Sequence, residues 1–248
     1  MKKLLCSLIL VLAIICSINA FTDLKDKENN LNNENTSTVV KETNPNITTK
    51  VNSTQTNKKT NILLINDKNK LSKSYIPKNL VIPKVKFISY ADPNVKKMDI
   101  DAAVALESLF LSASKDNIEL LAVSGYRTYE YQDKLYKKSK NTTRASDKAT
   151  SEYVAKPGTS EHQSGLAMDV LSDECFYLND SFSQTNAYAW LKENCYKYGF
   201  IIRYPKGREN ITGYCFEPWH IRYIGLPASK EIMESDITLE EYLLPTGN

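Results

Sequence analysis

The amino-acid composition changes sharply at about residue 60, and this change limits where a hydrophobic core can form. Residues 22–60 are nearly half Asn and Thr and contain almost no large apolar side chains. A segment of this composition cannot bury enough apolar surface to offset the conformational entropy that ordering would remove. We therefore predict a disordered linker over residues 21–60 and one folded domain over residues 61–248.

The first twenty residues have the pattern of an export signal. A basic start, Met1-Lys2-Lys3, precedes an apolar run from Leu4 to Ile18 that is short for a membrane span. We interpret residues 1–20 as a signal peptide cleaved after Ala20. An uncleaved N-terminal anchor is the second alternative, and a lipid anchor at Cys16 is the third. In each case the rest of the chain is expected to be exported.

Charge and cysteine content exclude some functional classes. Lys and Arg number 32 against 29 Asp and Glu, and the resulting formal charge of +3 is too weak to favour nucleic acid as a partner. Five cysteines are too few for a disulfide-dense scaffold. In an exported domain two of Cys175, Cys195 and Cys215 could form a disulfide, and their spacing does not say which two. We expect a monomer.

Hydrophobic periodicity predicts both helices and strands in the folded part. Helices are predicted from Met98 to about Ser114, from Tyr129 to Lys138 and from Thr185 to Tyr198, with a polar loop over 139–155. Short apolar runs predict strands at Ile62–Ile65, Leu120–Val123, Leu166–Leu171, Phe200–Arg203 and Trp219–Tyr223. Because the two types do not alternate regularly, we predict a single α+β domain with a mainly antiparallel sheet flanked by helices.

The chain has only two histidines, and each lies near carboxylates. His162 precedes Asp169 in one run, and His220 follows Glu217 in another. Imidazole nitrogens and a carboxylate oxygen are the ligands that catalytic zinc prefers, with a fourth position left to water. His162, Asp169 and His220 would supply three ligands, and Glu217 is the candidate general base. The alternative is a pair of structural histidine–carboxylate hydrogen bonds.

Glu217 and His220 can share a site only if the backbone between them is irregular. Residues three apart in a regular strand face opposite sides of the sheet. We therefore expect Pro218 to bend the chain at this point.

Three blocks of sequence resemble the signatures of a known family. They are Ser124-Gly125-Tyr126-Arg127-Thr128, the run Ser-x-His-x-x-Gly-x-Ala-x-Asp over 160–169, and Glu-Pro-Trp-His over 217–220. In this order they are similar to the VanY-like D-alanyl-D-alanine carboxypeptidases, zinc D,D-peptidases related to D-Ala-D-Ala dipeptidases and hedgehog-type domains. The resemblance implies a hedgehog/D,D-peptidase-like fold and one Zn²⁺ per chain, held by the three ligands named above.

The same resemblance implies roles for further residues. Arg127 would contact the substrate and stabilise the oxyanion, which suits a guanidinium because it binds carboxylates in a fixed bidentate geometry. Ser160 and Gln132 match positions that hold the terminal D-residue and its carboxylate. Tyr204 and Trp219 match aromatic walls of the pocket.

The function implied by the resemblance is removal of the terminal D-Ala from peptidoglycan stem peptides by metal-activated water. The protein would then be secreted, wall-associated or membrane-anchored on the outer face of a Gram-positive cell. One alternative is an L,D-carboxypeptidase that acts on stem tetrapeptides. The other is a non-catalytic zinc-containing domain that binds the cell wall.

Overall fold

The structure is a computed structural model that describes residues 62–244. The predicted signal peptide, the linker and the first residue of the predicted domain lie outside this range. The described strands are β1 (Leu80–Val81), β2 (Met98–Asp99), β3 (Leu120–Ser124), β4 (Ala167–Ser172), β5 (Phe200–Tyr204) and β6 (Glu217–Tyr223). The described α-helices are α1 (Ile100–Lys115), α2 (Tyr129–Thr143), α3 (Asp147–Ser151), α4 (Asn186–Asn194), α5 (Glu209–Thr212), α6 (Ala228–Glu234) and α7 (Leu239–Leu243).

An antiparallel sheet of four strands in the order β3-β4-β6-β5 forms the centre of the domain. Strands β1 and β2 form a separate antiparallel pair. This arrangement confirms the predicted α+β class. On one face of the sheet, Met168 and Ile221 belong to the main hydrophobic core together with Leu106 and Leu109 of α1.

The other face of the sheet is partly polar. Asp169, His220, Arg203 and Arg222 alternate with the core residues along their strands, so they point away from the main core. Beside them, Ile201 packs with apolar side chains of α6 and α7 in a smaller cluster. The candidate site therefore lies on the face opposite the main core.

The predicted strand at Ile62–Ile65 is wrong, because this segment joins no sheet. The Leu63 carbonyl accepts a hydrogen bond of 2.7 Å from Nη2 of Arg222, and Leu64 packs against the smaller cluster. The segment is thus held by one side-chain hydrogen bond and by apolar packing.

The predicted loop over 139–155 is partly helical. Helix α2 continues to Thr143, and α3 follows after Ser146, whose side chain accepts a hydrogen bond from the Ala149 backbone N–H. This N-cap stabilises the first turn of a helix that has no apolar periodicity. The predicted helix over 185–198 is α-helical to Asn194 and then continues as a 3₁₀ turn to Tyr198.

The structure contains no disulfide within residues 62–244. Cys175 and Cys195 are free, buried thiols, and burial raises the pKa of Cys195 to about 12. The possible disulfide is therefore not formed. Across the same residues, the helices are all too short or too polar to span a bilayer.

Candidate active site

His162 lies in a 3₁₀ turn, Glu161–Ser164, that leads into β4. Its Nδ1 is 2.7 Å from the Gly125 carbonyl oxygen, so Nδ1–H is the donor. This leaves Nε2 to face Asp169, with 3.4 Å between Nε2 and Oδ1. A side chain at position 125 would collide with the Lys97 carbonyl, so the close approach of the backbone requires glycine.

Asp169 and His220 are directly opposite each other on β4 and β6. Oδ1 of Asp169 is 3.1 Å from Nδ1 of His220. One ligand atom from each of His162, Asp169 and His220 lies within 4.8 Å of the others, and all three residues are buried. Two imidazole nitrogens and a carboxylate oxygen at this separation fit a divalent metal with an open coordination position. The predicted ligand set is therefore brought together in space.

Glu217 reaches the same place through an irregularity in β6. Ile202 pairs with Ile221 but Tyr204 pairs with Glu217, so β6 uses four steps where β5 uses two. This β-bulge includes Pro218 and brings Oε2 of Glu217 to 3.8 Å from Nδ1 of His220. The bend expected between Glu217 and His220 is confirmed.

The position of Glu217 suits a general base. Burial raises the pKa of Glu217 to about 8, with the Asp169 carboxylate adding to the effect and His220 opposing it. A carboxylate whose pKa lies near neutrality can both take up and release a proton at physiological pH.

Arg127 adjoins the predicted metal ligands. Its Nη2 is 2.7 Å from Oδ2 of Asp169 and 2.9 Å from Nε2 of His162, and its side chain is only 15% exposed. Burial and the Arg127 guanidinium together lower the pKa of His162 to about 4, whereas for His220 burial is outweighed by hydrogen bonds to Asp169 and Glu161, which raise the pKa to about 9. Because only a neutral imidazole can bind a metal, metal binding by His220 would release a proton.

Two further side chains orient Arg127. Ser124 Oγ accepts from Nε at 3.0 Å, and Oε1 of Gln132 accepts from Nη1 at 3.2 Å. Nε2 of Gln132 donates to the Ala155 carbonyl at 2.8 Å, which fixes the amide. Gln132 therefore contacts Arg127 beside the predicted ligands, and its contact with substrate stays a prediction.

The remaining predicted site residues lie at different distances from the ligands. Ser160 is buried at the start of the 3₁₀ turn, and its side chain makes no capping hydrogen bond to that turn. The Tyr204 ring is buried, with its centroid 4.9 Å from that of His220. Trp219 packs in the main core. Contact of these three residues with substrate stays a prediction.

A buried network of charges that the sequence did not lead us to expect lies beside the site. Oε1 of Glu161 accepts hydrogen bonds of 2.7 Å from both Arg203 and Arg222. Arg203 also forms a bidentate pair with Glu240 of α7, at 2.6 and 2.9 Å. A signal for this network was present in the sequence, since Arg203 and Arg222 interrupt two apolar strands where charges are rarely buried unpaired.

Comparison with known proteins places these features in a family context. A family model described as VanY, D-alanyl-D-alanine carboxypeptidase, matches residues 95–226. YodJ of Bacillus subtilis (strain 168) is 46% identical over 184 residues, which cover 73% of this chain and 67% of YodJ. A D-alanyl-D-alanine carboxypeptidase of Enterococcus faecalis (strain ATCC 700802 / V583) is 41% identical over 157 residues, which cover 60% of this chain and 57% of that enzyme.

Solved structures with the same fold include both D,D- and L,D-peptidases. The LdcB LD-carboxypeptidase superposes with a TM-score of 0.68 at 45% identity, covering 72% of this chain and 83% of LdcB. A mutant of the vancomycin-resistance D,D-pentapeptidase VanY, in complex with Zn(II), superposes with a TM-score of 0.58 at 35% identity. The match covers 73% of this chain and 97% of that structure. VanYB in complex with D-alanine-D-alanine superposes with a TM-score of 0.61 at 33% identity. The match covers 74% of this chain and 97% of that structure.

Proposed function

Because this chain belongs to the VanY family of D-alanyl-D-alanine carboxypeptidases, we propose that it is a zinc-dependent carboxypeptidase of peptidoglycan. It removes the C-terminal D-Ala from stem peptides that end in D-Ala-D-Ala. The observation that carries this proposal is the convergence of His162, Asp169 and His220, with Glu217 3.8 Å from His220. The solved VanY complex with Zn(II) supports zinc as the metal, and the VanYB complex with D-alanine-D-alanine supports the substrate.

The residues of the site divide the chemistry between them. His162, Asp169 and His220 hold the zinc, which when bound supplies Lewis acidity toward the scissile carbonyl and the attacking water. The Glu217 carboxylate accepts a proton from that water as its oxygen bonds to the carbonyl carbon. When the carbon–nitrogen bond breaks, Glu217 returns the proton to the amine of the departing D-alanine.

Arg127 supplies the positive charge that an exopeptidase needs. A free C-terminal carboxylate and an oxyanion are both acceptors for a guanidinium, whose donors form a planar fork. Ser124 and Gln132 each hold one edge of this group. Nε and Nη1 are therefore held before substrate binds, which reduces the ordering cost in the transition state, whereas Nη2 must turn away from Nε2 of His162 when that nitrogen binds the metal.

An L,D-carboxypeptidase that acts on stem tetrapeptides is the second candidate. The observation that favours it is the similarity to the LdcB LD-carboxypeptidase, at 45% identity and a TM-score of 0.68. Both candidates release a terminal D-Ala, so they differ in the residue that precedes the scissile bond and share the chemistry described above.

Mass spectrometry of synthetic stem pentapeptide and tetrapeptide after incubation with the purified protein would test the proposal. Each peptide is incubated with zinc, and in parallel with a chelator. We expect loss of one D-Ala from the pentapeptide, in the zinc reaction only. Loss from the tetrapeptide instead would assign the L,D activity, and no loss from either would contradict both candidates and favour the non-catalytic wall-binding domain.

A further inference from the structure

Glu161 is a fully buried carboxylate for which the proposed reaction has no role. Its Oε1 receives both arginine donors of the network described above, while Oε2 lies 3.4 Å from Nε2 of His220. Because two guanidinium groups lie on Oε1 and balance its charge, Glu161 is a paired carboxylate whose Oε2 is directed at the back of a predicted metal ligand.

The two histidines need opposite ring protonation if both are to bind the metal. His162 donates its Nδ1–H to the Gly125 carbonyl, which leaves Nε2 as its ligand atom. Nδ1 of His220 is 3.1 Å from Oδ1 of Asp169, and once Nδ1 binds the metal the one ring proton of His220 is on Nε2. The acceptor on the far side of each ring thus sets which nitrogen carries the proton. This acceptor is a carbonyl for His162 and the Glu161 carboxylate for His220.

We propose that Glu161 is a positioning residue that holds the proton of His220 on Nε2 and thereby directs Nδ1 to the metal. This inference rests on the proposed zinc site. Burial of a carboxylate is costly unless it is paired, and two arginines on one oxygen satisfy that requirement while Oε2 stays oriented toward His220. Arg203 also pairs with Glu240 of α7, whereas Arg222 binds Oε1 of Glu161 without that partner, so Glu161 keeps an arginine donor that does not depend on Glu240.

A glutamine at position 161 could not reproduce this arrangement. If its amide oxygen accepted from the arginines, its NH₂ group would face Nε2 of His220 and favour protonation at Nδ1. If the amide were reversed, the NH₂ group would face two guanidinium donors. With zinc bound to Nδ1 of His220, both orientations would leave a buried donor opposite another donor, which is costly.

The first test uses the protein labelled with ¹⁵N on the histidine rings and loaded with zinc. Because the chain has only two histidines, the spectrum contains two ring systems, which His162→Gln assigns. We expect a proton on Nε2 in His220 and on Nδ1 in His162. A zinc-loaded protein in which His220 binds the metal through Nε2 would overturn the proposal, and this measurement needs no change at Glu161.

The second test measures zinc affinity by chelator competition in Glu161→Gln, with Glu240→Gln as the matched control. Both variants remove one negative charge from the same network, but only the first removes the partner of His220. We expect a 10- to 100-fold weaker zinc affinity for Glu161→Gln, the range found for such outer partners, and less than a threefold change for Glu240→Gln. Circular dichroism checks that each variant is folded at the temperature used.

The results separate this inference from the proposed function. Equal losses of zinc affinity in both variants would mean that Glu161 acts only through fold stability, and would overturn the positioning role. If zinc binds with the expected ring protonation but neither peptide is cleaved, the proposed function fails and the role of Glu161 stands. If the protein binds no zinc, both fail.

Discussion

At the scale of single residues, the carboxylates and imidazoles of the site lie in different environments. Asp169 contacts His162, His220 and Arg127, so it lies at the centre of the cluster. Glu217 is directed at His220 from the partly open side, with 13% of its side chain exposed. Each side chain therefore has a distinct environment, and these environments predict different effects of substitution.

Substituting Glu217→Gln tests the general base. The amide keeps the shape of the side chain but cannot accept a proton, so we expect kcat to fall about 10²- to 10⁴-fold while zinc content is unchanged. Glu209→Gln, an exposed change in α5, is the matched control and should keep full activity. Steady-state hydrolysis and zinc analysis measure both variants. Survival of activity in Glu217→Gln would refute the mechanism.

Substituting Arg127→Lys tests whether geometry or charge matters at this position. Lysine keeps the charge but loses the planar fork and the bonds to Ser124 and Gln132. We expect kcat/KM for the cleaved stem peptide to fall about 10²- to 10³-fold, as for loss of an oxyanion donor. As the matched control, Arg208→Lys at a half-buried position should change kcat/KM less than threefold. An equally small change in Arg127→Lys would show that the positive charge alone suffices.

At the scale of elements, two departures from regular structure place the site. The bulge in β6 turns Glu217 to the side of His220, and the 3₁₀ turn before β4 turns His162 toward Asp169. The turn ends at Gly165, whose φ is +72°. A Cβ there would lie 3.1 Å from the Asp99 nitrogen and 3.0 Å from a Leu80 methyl group. The turn is therefore tightly packed against β1 and β2.

Comparison of Gly165→Ala with Gly213→Ala tests this packing. Both glycines have positive φ, at +72° and +80°, so each alanine costs about 1–2 kcal/mol in backbone conformation. Only position 165 is crowded, since nothing lies within 4 Å of a Cβ at 213. We expect Gly165→Ala to lower the free energy of unfolding by about 1–3 kcal/mol more than Gly213→Ala does, as measured by urea denaturation. Equal losses would mean that the turn can relax at no cost.

At the scale of the whole molecule, the predicted metal links parts of the domain that are far apart in sequence. Its ligands come from the turn at Glu161–Ser164, from β4 and from β6. A ligand that binds only the folded state stabilises it by about 2.7 kcal/mol at 100 times its Kd. For a chain of this size, we expect a chelator to lower Tm by about 5–10 °C. In His220→Ala the chelator should have little effect, and an equal decrease there would place the metal elsewhere.

We also propose that the chain is exported and reaches the cell wall through its N-terminal segment. N-terminal sequencing of the protein recovered from the cell surface or medium should begin at Phe21 if residues 1–20 are a cleaved signal peptide. Ala20→Trp, which puts a bulky residue at the cleavage point, should retain the complete N-terminus. A complete N-terminus in the unchanged protein would indicate the retained anchor, and recovery only from the cytoplasm would contradict export.

The sequence by itself predicted the ligand set and the base, and it determined the fold class, because these depend on residue type and local spacing. His162, Asp169, His220 and Glu217 carry recognisable chemistry, and apolar periodicity located α1, β3 and β4 to within two residues. The capping hydroxyl of Ser146 was the local signal that would have located α3.

Only the tertiary structure decided how these residues act together. The ring orientation of each histidine depends on the acceptor behind it, and Glu161 meets its arginines through the pairing of β5 with β6. The direction of the Glu217 side chain depends on a bulge in β6, which shifts the pairing of β6 with β5. Hydrophobic periodicity in the sequence does not reveal such a shift. Local sequence sets what a side chain can do, whereas contacts between distant segments set its partners, and those follow from strand register and packing.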